Sequence, residues 1–298
     1  MSGENVLELG PPEVVAPIGG RAARRAAVLG SPVSHSRSPD LHLAAYRALG
    51  LDDWTYERIE CTADQLPSLV DGLGPEFIGL SVTMPGKLAA LGHADLSTER
   101  ARLVGSANTL VRTADGWRAD CTDIDGMLGA LADLGVRPQA DAGGRAVLIG
   151  AGGTALPTVA ALAQRGFREV AVVARDAGRA RSVIALCERL GIDTTIVAFE
   201  PGADLADRCR DAHVVVSTVP AAGAATLAES VAGAARVVDV IYDPWPTPLA
   251  AAVTAAGGSV VGGLVMLLNQ AFSQVEQFTG LPAPRAAMAA ALSAPAQH

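Results

Sequence analysis

The sequence predicts an α/β protein with two domains, and three observations support this prediction. Segments with the pattern of buried strands alternate with segments of helical periodicity, which is typical of a mainly parallel sheet covered by helices. A glycine-rich loop near the middle of the chain follows a strand and opens an alanine-rich helix. The chain has 298 residues, half of them hydrophobic, and this length is near the limit for a single core. We therefore expect two cores, and the two ends of the chain can share one domain.

The first half of the chain contains the first strand and helix series. Residues 1–25 are rich in Pro and Gly and have no apolar period, so we predict a flexible leader there. The elements predicted after it are strands over 26–30, 54–60 and 77–82, helices over 39–49 and 63–73, and a hairpin of 106–112 and 116–120 at the sheet edge. Strands joined through helices predict a parallel sheet.

The second half repeats this alternation. A helix over 123–134 and a loop over 135–144 precede it. The predicted strands cover 146–149, 170–174, 194–199, 214–217 and 237–241, and the predicted C-terminal helices cover 263–278 and 285–292.

Composition excludes several classes of protein. The net charge of −8 is spread evenly along the chain, which argues against binding to nucleic acid or to an anionic membrane surface. The sequence has no apolar run of spanning length and no signal-peptide stretch, so we expect a soluble cytoplasmic protein. The four cysteines are far apart, which predicts free buried thiols and neither a metal site nor a disulfide framework.

Lysine usage singles out one residue. Of the 23 basic residues 22 are Arg, and the only Lys is Lys87. An Arg side chain stays protonated in proteins, whereas a Lys side chain can be tuned for acid/base chemistry. Lys87 is therefore a candidate catalytic residue before any motif is considered, and the alternative is that a single surface Lys survived by chance.

The glycine-rich loop predicts a dinucleotide site. Small residues after a strand let the backbone approach a pyrophosphate, whose charge is stabilised by the N-terminus of the following helix. The loop consists of Gly150, Ala151, Gly152, Gly153, Thr154 and Ala155. Taken alone this motif is also compatible with a tight turn, but its position after a strand favours dinucleotide binding.

The end of the next strand discriminates between cofactors. A carboxylate there binds the ribose 2′-hydroxyl of NAD, and an Arg accommodates the 2′-phosphate of NADP. Arg175 and Arg179 favour NADP, while Asp176 leaves NAD open as the weaker alternative.

Polar residues cluster where three predicted elements of the first half begin or end. Ser36 and Ser38 follow the first strand, and Ser38 is also a candidate helix N-cap before Pro39. Lys87 follows a Pro-Gly turn after the strand 77–82. At the hairpin's end we expect Thr122 to cap the next helix, with Asp123 in its first turn.

These segments together resemble the shikimate dehydrogenase family over almost the whole chain, from residue 26 to about residue 292. The motifs that carry the resemblance are the His-Ser-x-Ser-Pro loop at 35–39, Val-Thr-x-Pro-x-Lys at 82–87, Asn-Thr at 108–109, Thr-Asp at 122–123, the loop at 150–155, Tyr-Asp-Pro at 242–244 with Thr-Pro-Leu at 247–249, and Gly-Leu-x-Met-Leu-x-x-Gln at 263–270.

The resemblance implies specific roles. Ser36 and Ser38 bind the substrate carboxylate, Tyr242 lies near it, and Gly263 lies beside the nicotinamide. The groups around the ring hydroxyls and the reacting carbon are Thr83, Lys87, Asn108, Asp123 and Gln270. Lys87 and Asp123 form the catalytic pair. The domains implied are a substrate domain of residues 26–122 and 263–298 and a Rossmann-like NADP domain of residues 123–262.

The activity implied is the reversible reduction of 3-dehydroshikimate to shikimate by NADPH, with these small molecules as partners and with a homodimer allowed. The sequence departs from the common family pattern at Ser81, Cys121, Ala174 and Asp176, where Asn, Asn, Asn and Thr are usual. A quinate or aminoshikimate dehydrogenase is the enzymatic alternative. A nucleotide-binding regulator without activity is the other, although such a protein should have lost Lys87 or Asp123.

Overall fold

The computed structural model describes residues 23–137 and 143–293 of the chain, so most of the predicted leader lies outside the described residues. These residues form two compact units. The first unit consists of two segments, the described residues up to Cys121 and Gln274–Ala287. The second unit consists of Thr122–Ser273 and the described residues from Met288 onward. The predicted domain boundaries at 122/123 and 262/263 stay predictions.

A six-stranded sheet forms the centre of the first unit, with strand order β2-β1-β3-β5-β6-β4. Its elements are β1 (Arg24–Gly30), α1 (Ser38–Ala48), β2 (Trp54–Glu60), α2 (Leu66–Asp71), β3 (Phe77–Val82), α3 (Lys87–His93), β4 (Leu96–Ser97), α4 (Glu99–Val104), β5 (Thr109–Thr113) and β6 (Gly116–Asp120). Strands β1, β2 and β3 are parallel, and β5 runs antiparallel to both β3 and β6. Apolar side chains of these strands form separate cores on the two faces.

Three differences from the predicted elements have physical causes. Strand β1 begins two residues early, at Arg24, and Arg25 forms an ion pair with Glu57 of β2 at 2.6 Å. Helix α2 is shorter than predicted because Pro67 fits only the first turn of a helix. The hairpin is not at the sheet edge, since β4 pairs with the outer side of β6.

The second unit contains the predicted doubly wound sheet. Its elements are α5 (Asp123–Asp133), β7 (Arg145–Ile149), α6 (Ala155–Gln164), β8 (Glu169–Ala174), α7 (Ala177–Arg189), β9 (Asp193–Ala198), α8 (Ala203–Asp211), β10 (Val214–Ser217), α9 (Ala221–Ala225), α10 (Ala228–Val231), β11 (Arg236–Asp239), α11 (Pro248–Ala255), β12 (Ser259–Gly262), α12 (Gly263–Thr279) and α13 (Arg285–Ser293). The last six residues of α12 belong to the first unit.

All six strands of the second sheet are parallel, in the order β12-β11-β10-β7-β8-β9. The strand order reverses between β7 and β10, and open α/β sheets bind ligands at the carboxyl ends of the strands at such a point. Strand β12 is absent from the predicted elements because it is short, has no buried residue, follows Gly257 and Gly258, and itself ends in a glycine, Gly262. Within the described ranges, no helix is long and apolar enough to cross a membrane.

Candidate active site

The loops after β1 and β3 lie against each other in the first unit. Ser31 donates its backbone N–H to the Met84 carbonyl at 3.0 Å, and Thr83 donates to the Leu29 carbonyl at 2.8 Å. A Cβ at Gly30 would lie 2.3 Å from Cγ2 of Thr83, so only glycine allows this approach. The predicted serine loop and the predicted Thr-x-Pro-x-Lys loop therefore form one surface at the carboxyl end of the sheet.

The two serines of the first loop are held differently. The Ser36 carbonyl accepts from Nε and Nη2 of Arg58 at 3.0 and 2.7 Å, which fixes the loop and leaves the hydroxyl outside that contact. The Ser36 hydroxyl accepts from the Ser38 N–H at 3.3 Å. Ser38 is buried and is the first residue of α1, with Arg37 at the N-cap position. The capping interpretation of Ser38 is therefore wrong, and its hydroxyl hydrogen-bonds instead with Tyr56.

Lys87 and Asn108 are brought together by the backbone. Lys87 is the first residue of α3 and is half-buried, and its carbonyl accepts from the Ala107 N–H at 3.0 Å. Asn108 is buried, accepts from the Val82 N–H at 2.8 Å and donates to the Asp120 carbonyl at 3.1 Å. The candidates Ser36, Ser38, Thr83, Lys87 and Asn108 therefore lie along one edge of the first sheet.

The residues that precede Asp123 depend on a buried ion pair that sequence reasoning missed. Asp120, with no exposed surface, accepts from Nε and Nη2 of Arg100, from Thr98 and from Gln277, at 2.5–2.8 Å. Burial by itself would raise the pKa of Asp120, but these partners, Arg100 above all, hold it below its ordinary value. The pair fixes the end of β6, next to the backbone of Asn108.

In the second unit, Asp123 begins α5, as predicted, and its side chain is buried. Thr122 does not cap this helix, because its own backbone is helical (φ −77°, ψ −5°) rather than extended. A Cβ at Gly126 would lie 2.6 Å from the Met266 carbonyl and 3.3 Å from Cβ of Gln270. Helices α5 and α12 therefore pack closely, and Gln270 lies beside the first turns of α5.

The glycine-rich loop connects β7 to α6 at the point where the strand order reverses. Gly150 has φ +105°, and a Cβ there would lie 2.6 Å from Oγ1 of Thr218 at the end of β10. A Cβ at Gly152 or Gly153 would meet no atom within 4 Å, so the outer surface of the loop is open. An open loop of small residues at the N-terminus of α6 fits a dinucleotide pyrophosphate.

The residues after β8 are consistent with a 2′-phosphate. Arg175 is exposed, and its guanidinium lies over the Phe199 ring, 4.9 Å from the centroid. Asp176 accepts from the Gly178 N–H at 2.6 Å and caps α7, so its carboxylate is engaged by the helix. Arg179 is exposed on the first turns of the same helix. The capping role of Asp176 weakens the argument for NAD.

The segment after β11 carries the remaining candidates. Tyr242 is half-buried, and Gly263 approaches Val240 so closely that a Cβ would lie 2.1 Å from its carbonyl oxygen. Thr247 donates to buried Asp239 at 2.6 Å and caps α11 by accepting from the Ala250 N–H at 3.0 Å. The Thr-Pro-Leu motif is thereby explained by the local fold.

The described part of the chain can be compared with the expectations about free cysteines and about metal sites. The four cysteines are buried free thiols, as predicted, and burial raises the pKa of Cys209 to about 12. In the ranges 23–137 and 143–293, His, Cys, Asp and Glu side chains form no group of three that would hold a metal ion.

Comparisons with known proteins match the chain along most of its length. Three family profiles match: the shikimate dehydrogenase substrate-binding domain at residues 28–110, shikimate/quinate 5-dehydrogenase at 137–240 and the shikimate 5′-dehydrogenase C-terminal domain at 263–292. The shikimate dehydrogenase (NADP+) of Methylobacterium radiotolerans is 39% identical over 276 residues, which cover 89% of this chain and 94% of that protein.

Solved structures are also similar to this chain over most of its length. The crystal structure of Mycobacterium tuberculosis shikimate dehydrogenase has a TM-score of 0.85 and 58% identity, covering 91% of this chain and 99% of that one. Shikimate 5-dehydrogenase from Thermus thermophilus, in complex with NADP(H) and shikimate, has a TM-score of 0.74 and 29% identity, covering 91% and 98%.

Proposed function

Because this chain belongs to the shikimate dehydrogenase family, we propose that it catalyses the reversible, NADPH-dependent reduction of 3-dehydroshikimate to shikimate. This reaction belongs to the shikimate pathway of aromatic amino acid biosynthesis. The observation that carries the proposal is the joining of three loops by the Ser31–Met84 and Ala107–Lys87 backbone hydrogen bonds. These bonds place two serines, the single lysine and a buried asparagine along one sheet edge.

The substrate is bound through its carboxylate and its ring hydroxyls. Ser36 and Ser38 bind the carboxylate with Tyr242 nearby, and these groups are hydroxyl donors suited to an anion. The ring hydroxyls are bound by Thr83, Asn108 and Gln270. The division expected from the sequence is a substrate domain of 26–122 and 263–298 and an NADP domain of 123–262. Of these substrate-binding residues, Tyr242 alone belongs to the NADP domain.

Lys87 and Asp123 carry the acid/base chemistry. When NADPH is bound, it supplies the hydride for the ring ketone. The ammonium of Lys87 stabilises the negative charge that develops on the ketone oxygen and passes a proton to it. Asp123 holds the ammonium in place and binds a neighbouring substrate hydroxyl. Positioned acid/base catalysis of this kind contributes about 10² to 10⁴ in rate.

NADP is the cofactor that the second unit fits best. The residues that would hold its pyrophosphate are Gly150, Ala151, Gly152, Gly153, Thr154 and Ala155. Arg175, with Arg179 beside it, would bind the 2′-phosphate through charge-assisted hydrogen bonds, and Gly263 would lie beside the nicotinamide. Engagement of Asp176 as a helix cap supports NADP over NAD.

An absorbance assay at the nicotinamide band tests the proposal. The purified protein is given shikimate or quinate with NADP or NAD, and Lys87→Ala serves as the inactive control. We expect kcat/KM to be highest for shikimate with NADP. Turnover of quinate but not of shikimate would contradict the proposal, and the comparisons do not favour that alternative.

Two further expectations stay proposals. A cytoplasmic location stays a proposal, and the evenly spread acidic charge of the chain supports it by arguing against an anionic membrane surface. A homodimer is compatible with the sequence, and light scattering of the purified protein measures the oligomeric state.

A further inference from the structure

A chain of buried polar side chains runs through the first unit beneath the predicted substrate site. It begins at Ser38, whose hydroxyl hydrogen-bonds with the Tyr56 hydroxyl. The Tyr56 hydroxyl lies 2.7 Å from Oγ of Ser81, and that Oγ lies 2.9 Å from Oε1 of Gln274. All four residues are at least nine-tenths buried. None of the three beyond Ser38 belongs to the residues assigned above to substrate or cofactor.

The partners of Gln274 determine the direction of every bond in this chain. The amide nitrogen of Gln274 lies 3.2 Å from the Asn108 carbonyl oxygen, which can only accept. The amide oxygen therefore faces Ser81, and the Ser81 hydroxyl donates to it. Because a hydroxyl has one hydrogen, Ser81 accepts from Tyr56, and Tyr56 accepts from Ser38.

The other end of the chain orients Asn108. The Gln274 amide nitrogen also donates to Oγ1 of Thr109 at 3.0 Å, and the Thr109 hydroxyl donates to Oδ1 of Asn108 at 3.1 Å. The oxygen of the Asn108 side chain is thereby turned toward Thr109. Gln274 consequently fixes both the backbone and the side-chain amide of a residue assigned to the substrate hydroxyls.

We propose that this chain of hydrogen-bonded side chains positions two substrate-binding residues, Ser38 at the carboxylate end of the substrate site and Asn108 at its hydroxyl end, and couples the two. Its members are Tyr56, Ser81, Gln274 and Thr109, none of which is assigned above to the substrate or the cofactor. The inference rests on the proposed function, because it takes Ser38 and Asn108 as substrate-binding residues. It also gives a role to Ser81, which replaces the Asn that is usual in the family.

The direction of the bonds explains how Ser38 serves both the chain and the substrate. When a carboxylate arrives, the Ser38 hydroxyl turns its hydrogen from Tyr56 to the anion. Tyr56 then turns its own hydrogen from Ser81 to the Ser38 oxygen, while Ser81 still donates to Gln274, so no buried hydrogen is left unpaired and only a lone pair of Ser81 loses a partner. The chain therefore holds the Ser38 oxygen in place without withholding its hydrogen from the substrate.

Steady-state kinetics of Tyr56→Phe and Ser81→Ala test the proposal. Each variant removes one hydroxyl of the chain, so we expect KM for shikimate to rise about 3- to 10-fold, the equivalent of one ordinary net hydrogen bond. We expect kcat to change less than about 2-fold, and KM for NADP to stay unchanged. Ser81→Thr keeps a hydroxyl and should restore KM for shikimate to within about 2-fold of the natural protein.

Tyr46→Phe is the matched control. Tyr46 and Tyr56 are both buried and both pack on His42, with ring centroids at 6.0 and 4.1 Å. Among the described residues, however, the Tyr46 hydroxyl has no hydrogen-bond partner. Its removal should leave KM for shikimate unchanged, and thermal unfolding of both variants separates a folding defect from a binding defect.

A double variant distinguishes a connected chain from separate contacts. Tyr56→Phe with Ser81→Ala should raise KM for shikimate little more than either single change, because the two residues act through one chain. Equal KM in Tyr56→Phe and Tyr46→Phe, or full additivity in the double variant, would overturn the proposal. If the natural protein itself fails to oxidise shikimate, the proposed function fails, and that result is separate from either outcome.

Discussion

The two units form their candidate binding surfaces by different means. In the first unit, backbone hydrogen bonds join the loops, and buried side chains hold them in place as well, since Asp120 alone accepts four hydrogen bonds from Thr98, Arg100 and Gln277. In the second unit, the surface depends on the backbone, through the positive φ of Gly150 and the close approach of Gly263 to Val240. A surface built from side chains should therefore fail when one polar group is deleted, whereas a surface built from backbone should tolerate such deletions.

The largest effect is expected from Asp120→Asn. Asp120 has no exposed surface and its ion pair with Arg100 is buried, so the change leaves a buried guanidinium without its counterion. We expect the free energy of unfolding to fall by about 3–5 kcal/mol, measured by urea denaturation. Asp115→Asn, at an exposed position of the same hairpin, should change it by less than about 0.5 kcal/mol. Equally small losses of unfolding free energy in Asp120→Asn and Asp115→Asn would mean that the Arg100–Asp120 pair does not stabilise the candidate surface of the first unit.

This stabilisation should depend on pH. The pKa of Asp120 is lower in the folded protein than its ordinary value of 3.8, so folding favours the ionised carboxylate. Its contribution is present above the pKa of the unfolded chain and is lost as pH falls through the folded pKa. The difference in unfolding free energy between the natural protein and Asp120→Asn should therefore be constant near neutral pH and shrink below about pH 4. A difference that grows on acidification would contradict this assignment.

The difference between the two units also explains which parts of the candidate sites could be predicted from the sequence. Gly150 and Gly263 stand in local motifs, because a backbone surface requires particular residues at consecutive positions. The Arg100–Asp120 pair and the Gln274 contacts join residues 20 and 166 positions apart in the chain. No local sequence pattern indicates partners so far apart, so the sequence predicted Asn108 as a site residue without predicting the Gln274 contacts that orient it.

Local errors in the predicted elements have the same origin. Ser38 and Thr122 have the residue types of helix caps, yet Ser38 lies inside α1 and Thr122 has a helical backbone. For Ser38, the tertiary environment provides the Tyr56 hydroxyl as a partner for a hydroxyl that local preference would have placed at a cap. The strands 54–60, 77–82 and 214–217 were predicted correctly because continuous apolar or alternating runs define them.

The second largest effect is expected at Lys87, where geometry and chemistry are both required. Lys87→Arg keeps the positive charge but replaces a compact ammonium with a larger fork that does not release its proton. We expect Lys87→Arg and Lys87→Ala each to lower kcat by at least ~100-fold, with far smaller changes in NADP affinity measured by fluorescence titration. Near-normal turnover in a folded Lys87→Arg protein would leave Lys87 as a positioning charge only.

Asp123→Asn extends this prediction to the second unit. Residues that act as a unit are not additive, so Lys87→Ala with Asp123→Asn should be little slower than either single variant. If the losses in kcat multiply instead, the two residues act independently.

The third effect concerns the part of the second unit's surface that does depend on a side chain. Arg175→Ala removes the guanidinium expected to bind the 2′-phosphate, so KM for NADP should rise about 10-fold or more while KM for NAD stays nearly unchanged. Arg189→Ala removes an equal charge from the far end of α7 and should change neither value. Equal losses for both cofactors in Arg175→Ala would show that Arg175 supports the fold rather than the phosphate.

The smallest effect is expected from Ser36→Ala, which separates binding from structure within the first unit. Arg58 holds the loop through the Ser36 carbonyl at 3.0 and 2.7 Å, and this contact survives loss of the hydroxyl, which removes only the longer 3.3 Å hydrogen bond from the Ser38 N–H. We therefore expect KM for shikimate to rise about 3- to 10-fold, with kcat and the melting temperature nearly unchanged. Ser34→Ala, an exposed serine of the same loop, is the matched control. A lower melting temperature with normal KM would mean that the Ser36 hydroxyl stabilises the fold instead of binding the substrate. The first unit's dependence on side chains for its structure would then include a residue that we assign to the substrate carboxylate.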